Sequence, residues 1–377
     1  MIPGIAIRQH RAHWAFWNDP KQISGDPSHE TFLKKASFSG AKALVDVGRC
    51  NPLAEMKQQM AEAGFSCTSH WVISAPMPSL AERSRLSLLA RNAGIDRIRL
   101  LPSVAAAAAE LCVTDTALME DMENESEYNI IVWKDACTIE ICLVEVGNGI
   151  LEFMSYGARR YVEERQTAEV IRMIMEDDIL TDVIPSQLKK GKILMNSLPS
   201  DAEDVLVHLA ANNGWDACVE YWGETDLYGC MRIAGKLSGY GFTHDFVPLL
   251  MTEYGFKILK NDQQTIEVMA RNSTIPARNT RPDEKHPCKI QISDITDRFG
   301  MATILVSCPF SPQEYDLIRI PVYKIWNGKN AEENAQVTID IDADLCIDIT
   351  IKNTDNNKEL VFSWKEICEQ ICDCAFR

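Results

Sequence analysis

Trp71 to Glu110 reads WVISAPMPSLAERSRLSLLARNAGIDRIRLLPSVAAAAAE, and four elements follow from that stretch. Thr68 to Ala75 is short and mostly apolar, as a buried strand is. Ser79 to Ala93 predicts a helix: Ser79 with Glu82 three residues on is a capping box, and Leu86, Leu89 and Ala93 recur at helical spacing on one side. Ile98 to Leu101 is a second short strand. Ser103 to Leu111 is an alanine-rich helix whose small side chains permit close packing. Strand, helix, strand, helix in one uninterrupted run implies an α/β domain with a largely covered sheet.

On the N-terminal side, IPGIAIRQHRAHWAFWND predicts a strand, a turn and a second strand, and Pro20, Gly25, Asp26 and Pro27 end the pattern. Asn51 to Gly64 has helical spacing through Leu53, Met56, Met60 and Ala63. On the C-terminal side, Tyr128 to Trp133 and Thr138 to Val146 predict two strands joined by a turn. Asn148-Gly149 signals a hairpin whose return strand is Ile150 to Ser155. Val162 to Met175 predicts an amphipathic helix, Ser200 to Asn212 a helix capped by Ser200 with Glu203 behind it, and Asp226 to Leu237 another. The texture changes near Tyr240. Gln264 to Ala270, Lys289 to Ile295, Thr303 to Cys308, Val337 to Ile341 and Cys346 to Ile351 predict strands, with a turn at Asp355-Asn356-Asn357, so the second half reads as all-β. His244 to Met251, HDFVPLLM, lies between the halves. It is apolar where linkers are ordinarily polar, and reads either as a linker or as a strand of one half.

The chain has 377 residues, room for two or three domains at about 150 residues each. A net charge of −16 argues against a nucleic-acid partner, which calls for a basic patch, and against an anionic membrane surface. No apolar run reaches about 18 residues, so no membrane span is expected, and no secretory pattern opens the chain. The 13 cysteines are odd in number and form no framework, as free thiols in the cytoplasm do. Cys368, Cys372 and Cys374 read as a cysteine-rich tail; the metal-site alternative lacks a second ligand pair. No paired histidine spacing suggests zinc, and His10 and His13 on one strand would point to opposite faces. No nucleophile elbow is present. Glu120, Asp121, Glu123, Glu125 and Glu127 read as a solvated loop, as do Asp177 and Asp178. The residues by themselves propose neither an enzyme nor a metal site.

Several of these segments, in chain order, resemble the seventy-kilodalton heat-shock (DnaK-type) chaperone family. Ala75-Pro76 matches the family's strand end, Arg83 to Gly94 its helix, Ile98 to Leu101 its buried strand, and Pro102-Ser103-Val104-Ala105-Ala106-Ala107 its alanine helix, with Leu101 in place of a glutamate. Arg271-Asn272-Ser273-Thr274-Ile275-Pro276 and Asp340-Ile341-Asp342-Ala343 resemble its C-terminal motifs, and HDFVPLLM its acidic-leucine linker. The resemblance implies a reduced actin-like ATPase-type α/β domain over 1–242 that has lost the adenine-clasping subdomain. A linker at 243–251 follows, carrying Val247, Leu249 and Leu250. A β-sandwich of substrate-binding type is expected over 252–366, and a short cysteine-rich tail over 367–377 without a helical lid.

The family cradles ATP phosphates on backbone N–H groups of glycine turns, because a side chain there blocks close approach. Its first loop, Gly-Ile-Asp-Leu-Gly-Thr-Thr, corresponds here to Gly4-Ile5-Ala6-Ile7-Arg8-Gln9-His10. Its second, Asp-Leu-Gly-Gly-Gly-Thr, corresponds to Trp133-Lys134-Asp135-Ala136-Cys137-Thr138, where only Thr138 survives. The metal-binding aspartate and the glycines are gone. Gly48-Arg49 is followed by Cys50 instead of the family's lysine, and Met195-Asn196-Ser197 stands where Gly-Gly-Ser contacts adenosine. These changes imply no cofactor, with ATP binding not expected, and no ATPase activity. Arg8, His10 and Lys134 leave open an unconventional anion site and a residual ATPase.

For the β half the resemblance implies an apolar peptide pocket at Ile258, Ile290 or Ile292, and Ile325; the alternative is that these isoleucines form the sandwich core. The family's pocket phenylalanine is absent near Arg281 to Asp283. Within the family the chain is most similar to the atypical lidless branch that pairs with a J-domain protein at the ribosome, through Val132-Trp133-Lys134 and Pro276-Ala277-Arg278. The expected function is a non-catalytic pseudo-chaperone acting as co-chaperone, scaffold or peptide-binding partner, with an ATP-independent peptide holdase as a further reading.

Overall fold

A computed structural model describes residues 2–8, 11–17, 32–38, 52–62, 70–75, 80–95, 97–114, 126–180, 190–215, 218–221, 225–242, 245–246, 254–270, 273, 276–284, 289–308, 311–326, 332–342 and 346–375. The chain divides into two compact units, one of residues 1–78 and 89–249, the other of 79–88 and 250–377.

The first unit contains two sheets. Strands β1 (Ile2–Arg8), β2 (Arg11–Trp17) and β3 (Phe32–Phe38) form an antiparallel meander. Helix α1 (Pro52–Glu62) leads to β4 (Trp71–Ala75), α2 (Leu80–Asn92, whose residues 80–88 belong to the second unit) to β5 (Ile98–Pro102), and β4 and β5 add in parallel beside β1. The order is β3-β2-β1-β4-β5. Helix α3 (Ser103–Thr114) follows, buried from Ser103 through Val113. A helix buried on every side lies inside a domain.

The pattern then repeats. Strands β6 (Glu127–Lys134), β7 (Thr138–Gly147) and β8 (Ile150–Arg160) form a second meander. Asn148 and Gly149 turn β7 into β8 with φ of 53° and 75°, the left-handed pair that a two-residue hairpin needs. Helix α4 (Thr167–Ile174) leads to β9 (Lys190–Met195), α5 (Ser200–Asn213) to β10 (Cys218–Glu220), and α6 (Thr225–Leu237) follows. Strands β9 and β10 add in parallel beside β6. Read from β8, the order is β8-β7-β6-β9-β10, the same as in the first sheet, with β11 (Asp245–Phe246) added outside β8.

The third helices of the two repeats, α3 and α6, pack on each other so closely that only glycine fits at residue 229: a Cβ there would lie 1.7 Å from the Ala106 carbonyl oxygen. Two expectations shift in this unit. The helix expected over Val162 to Met175 is broken into a 3-10 turn at Glu164–Gln166, α4, and a π turn at Met175–Ile179. Ser200 is the first helical residue of α5 and not its cap, because Pro199 in extended conformation takes that position and its carbonyl accepts the N–H groups of Ala202 and Glu203.

The described residues of the second unit form two antiparallel sheets. One is β13 (Thr265–Met269), β12 (Phe256–Leu259), β16 (Ala302–Cys308) and β17 (Ser311–Ile320), in that order. The other runs β14 (Ala277–Arg281), β18 (Asn334–Ile341), β19 (Ile347–Asn353) and β20 (Glu359–Phe362), with β15 (Ile290–Gln291) also on β18. Ile304 and Ile318 from the first sheet and Val337, Ile339, Ile349 and Ile351 from the second join one core cluster. Alternate residues of each strand supply it, as period-two side chains do. Leu80 of α2 belongs to the same cluster, and the buried Arg83 donates from Nε to the Tyr254 hydroxyl at 3.3 Å.

The strand expected over Lys289 to Ile295 stops at Gln291, and Ile292–Ile295 turns into a single helical turn, α7. The cysteine-rich tail is a helix, α8 (Trp364–Ala375), with Trp364, Ile367, Cys368 and Ile371 buried in the core cluster. Among the described residues no helix is long and apolar enough to cross a membrane.

Candidate functional site

The two turns singled out in the sequence occupy equivalent places, since each joins the first and second strands of its own repeat. At the β1–β2 turn, Ala6 is buried in register with His13 and with Ser74 of β4, and Arg8 ends β1 opposite Arg11. Gln9, His10, Gly48, Arg49 and Cys50 lie outside the described residues.

The β6–β7 turn is fully described. The N–H of Asp135 donates to the carbonyl of Thr138 at 2.9 Å, closing the hairpin. The N–H of Ala136 donates to Oδ1 of Asp135 at 2.7 Å, so the turn's own carboxylate takes a main-chain donor. Asp135 Oδ2 is buried and receives no hydrogen bond. The N–H of Lys134 donates to Oδ1 of Asn196 at 2.7 Å while Asn196 Nδ2 returns a bond to the Lys134 carbonyl at 2.8 Å, and a side-chain amide thereby extends the β6–β9 pairing. Ala136 is exposed, Asp135 and Cys137 are half-buried, and Thr138 is buried at the start of β7.

A second layer closes over this turn from the segment after β8. The Tyr161 N–H donates to the Cys137 carbonyl at 3.0 Å and its hydroxyl to the Asp135 carbonyl at 2.6 Å. Lys134 Nζ pairs with Glu164 Oε1 at 2.8 Å and lies 5.7 Å from the centre of the Tyr161 ring. Burial works to lower the Lys134 pKa, but the bonds to Glu164 and Tyr161 outweigh it and hold the amine above its ordinary value, firmly charged. Burial pushes the Tyr161 phenol up, against the pull of the Lys134 charge. Gln166 fixes the segment by accepting the N–H groups of Val162 and Glu163 at 2.9 and 3.0 Å. An anion brought to this turn meets the N–H groups of Lys134, Asp135 and Ala136 already in use, a lysine already paired and a carboxylate of its own sign. Glu164 and Tyr161 carry no mark in the sequence that ties them to residue 134; only the meander, which returns β8 beside β7, brings them together.

The four isoleucines of the expected peptide pocket fall in different elements: Ile258 on β12, Ile290 on β15, Ile292 opening α7 and Ile325 after the 3-10 turn Val322–Lys324. They are 0 to 4% exposed and belong to the one core cluster. Val247, Leu249 and Leu250 lie outside the described residues. The two residues just before them are fixed as β11: the Asp245 N–H donates to Gly149 O at 2.8 Å, and Phe246 is fully buried against Phe242, with Lys236 Nζ 5.2 Å from its ring centre. No group of three or more His, Cys, Asp or Glu side chains among the described residues is placed to hold a metal. No protein-family model matches the chain, and no curated protein matches it.

Proposed function

We propose that this chain is a non-catalytic, shortened relative of the DnaK-type chaperones that works as a protein-binding scaffold or co-chaperone. The observation that carries the reading is the β6–β7 turn, where Asp135 accepts the Ala136 N–H and Glu164 pairs with Lys134. Phosphate binding on a turn needs free backbone donors and an available cation; here the Asp135 and Ala136 N–H groups and the Lys134 amine are bound internally. The reading of the first unit as a reduced actin-like domain is supported by the repeated strand order and by the equivalence of the two turns.

The residual-ATPase alternative draws on Arg8 and Lys134, and it loses support because Lys134 is engaged. The peptide-holdase alternative draws on the isoleucines, and it loses support because they are buried. The partner in this proposal is a protein, in the first place a J-domain co-chaperone at the ribosome, in the cytoplasm. Isothermal titration of the protein with ATP and with ADP in Mg²⁺ tests the inert turn. No heat of binding at millimolar nucleotide is expected; clear micromolar binding would sink the reading and turn attention to hydrolysis.

A further inference from the structure

Three large apolar side chains of the second unit are exposed: Phe299 at 64%, Tyr323 at 56% and Leu317 at 53%. The turn that carries Phe299 is rigid. Asp297 Oδ1 accepts the N–H groups of Phe299 and Met301 at 2.8 and 3.0 Å, Asp297 Oδ2 pairs with Arg319, and the Gly300 N–H closes on the Asp297 carbonyl at 2.9 Å. Tyr323 is tied to the same turn through its N–H, which donates to Gly300 O at 3.0 Å. Leu317 lies two residues from Arg319, and so on the same face of β17. The backbone that carries the exposed aromatics is thus fixed by its own hydrogen bonds.

Arg298 lies over the Phe299 ring, 4.7 Å from its centre, and makes no ion pair among the described residues. Lys324, next to Tyr323, makes none either, although its field helps to hold down the Glu366 carboxyl. Two unpaired cations beside exposed Phe and Tyr stand out on a chain of net charge −16. Aromatic and arginine side chains in a fixed setting are the composition of interface hot spots.

We propose that this face docks an acidic segment of a protein partner, one that sets carboxylates against Arg298 and Lys324 and an apolar side chain against Phe299 and Tyr323. A nucleic acid shares the negative sign but is disfavoured, because a polyanion feels the whole net charge while a short acidic segment feels chiefly the local cations. The proposal rests on the protein-binding reading above, yet the two fail separately: the nucleotide titration probes the β6–β7 turn, and the test below probes only this face.

The probe is a fluorescein-labelled dodecapeptide of alternating Glu and Leu, read by anisotropy against the intact protein. Saturable, salt-sensitive binding is expected, weakened about tenfold or more by Arg298→Glu and by Phe299→Ala. Both side chains are exposed, so the variants should melt at the parent temperature. The proposal is overturned by absence of binding at millimolar peptide, by equal binding to the variants, by equal binding of a Lys/Leu peptide, or by oligouridylate binding at these residues while the acidic peptide fails.

Discussion

Glu110 and Arg232 face each other from α3 and α6 with side chains 1% and 0% exposed and a 2.8 Å contact from Nε to Oε2. Removing one partner of such a pair strands a buried charge, which costs about 3–5 kcal/mol, whereas replacing both with apolar groups of similar volume removes the desolvation cost as well. Urea unfolding should therefore show Arg232→Met strongly destabilised and the double variant Glu110→Leu, Arg232→Met much closer to the parent. A double variant as unstable as the single one would mean that the pair supplies net attraction. Cys230, also on α6, is buried with its thiol donating to the Ile5 carbonyl at 3.4 Å, and burial pushes its pKa up to about 12. The folded state thus favours the neutral thiol. That stability is present below the ordinary thiol value of 9.0 and is lost as pH rises towards about 12. Urea midpoints at pH 8 and pH 10.5 should fall further apart in the parent than in Cys230→Ala; equal falls would show that Cys230 is not the group responsible.

At the scale of elements, α8 is the instructive case. Ser363 precedes it, and Glu366 Oε2 reaches back to accept the Ser363 N–H and hydroxyl, each at 2.8 Å. Those two bonds hold the Glu366 carboxyl below its ordinary range. The cap's electrostatic part is therefore present above the ordinary carboxylate value and lost as pH falls through the lower, folded one. Gln370, two turns on, accepts the Arg319 N–H at 2.7 Å and donates to the Arg319 carbonyl at 2.8 Å, covering one rung of the exposed edge of β17. Ser363→Ala should cost about 1 kcal/mol, and Gln370→Ala should speed amide exchange at Arg319 without unfolding the sheet. If exchange at Arg319 stays as slow as in the parent, another group protects that edge.

The cap and the apolar spacing of α8 were legible in Ser363, Trp364, Glu366, Ile367 and Ile371, but the nearby cysteines drew the reading towards a tail. The turn at Ile292–Ile295 was not legible, because Ile290 and Ile292 stand two apart as on a strand and one helical turn is too short to show its own spacing. Most helices and strands of the first unit could be read within a few residues, since each depends on local periodicity. The pairing of Lys134 with Glu164 could not, because it depends on how strands distant in sequence pair.

On the scale of the whole molecule, the repeated strand order is the feature no local pattern reveals. Only the registers show that the β1–β2 and β6–β7 connections are equivalent, and the proposal that two phosphate loops are lost rests on that equivalence. A chaperone cycle needs two conformations and a ligand with different affinity for each; a ligand that does not bind shifts nothing. The segment leaving the first unit is held by main-chain pairing of Asp245 and Phe246 with Ile150 and Leu151, by the Lys236–Asp245 ion pair and by the buried Phe246 ring. None of these contacts involves the β6–β7 turn. Hydrogen exchange at Asp245 should accordingly be slow without nucleotide and unchanged by millimolar ATP and Mg²⁺. Fast exchange in both conditions would show that β11 is not a lasting strand. Exchange that changes with ATP would show that nucleotide reaches the protein after all, and would overturn the inert scaffold from the opposite end of the domain.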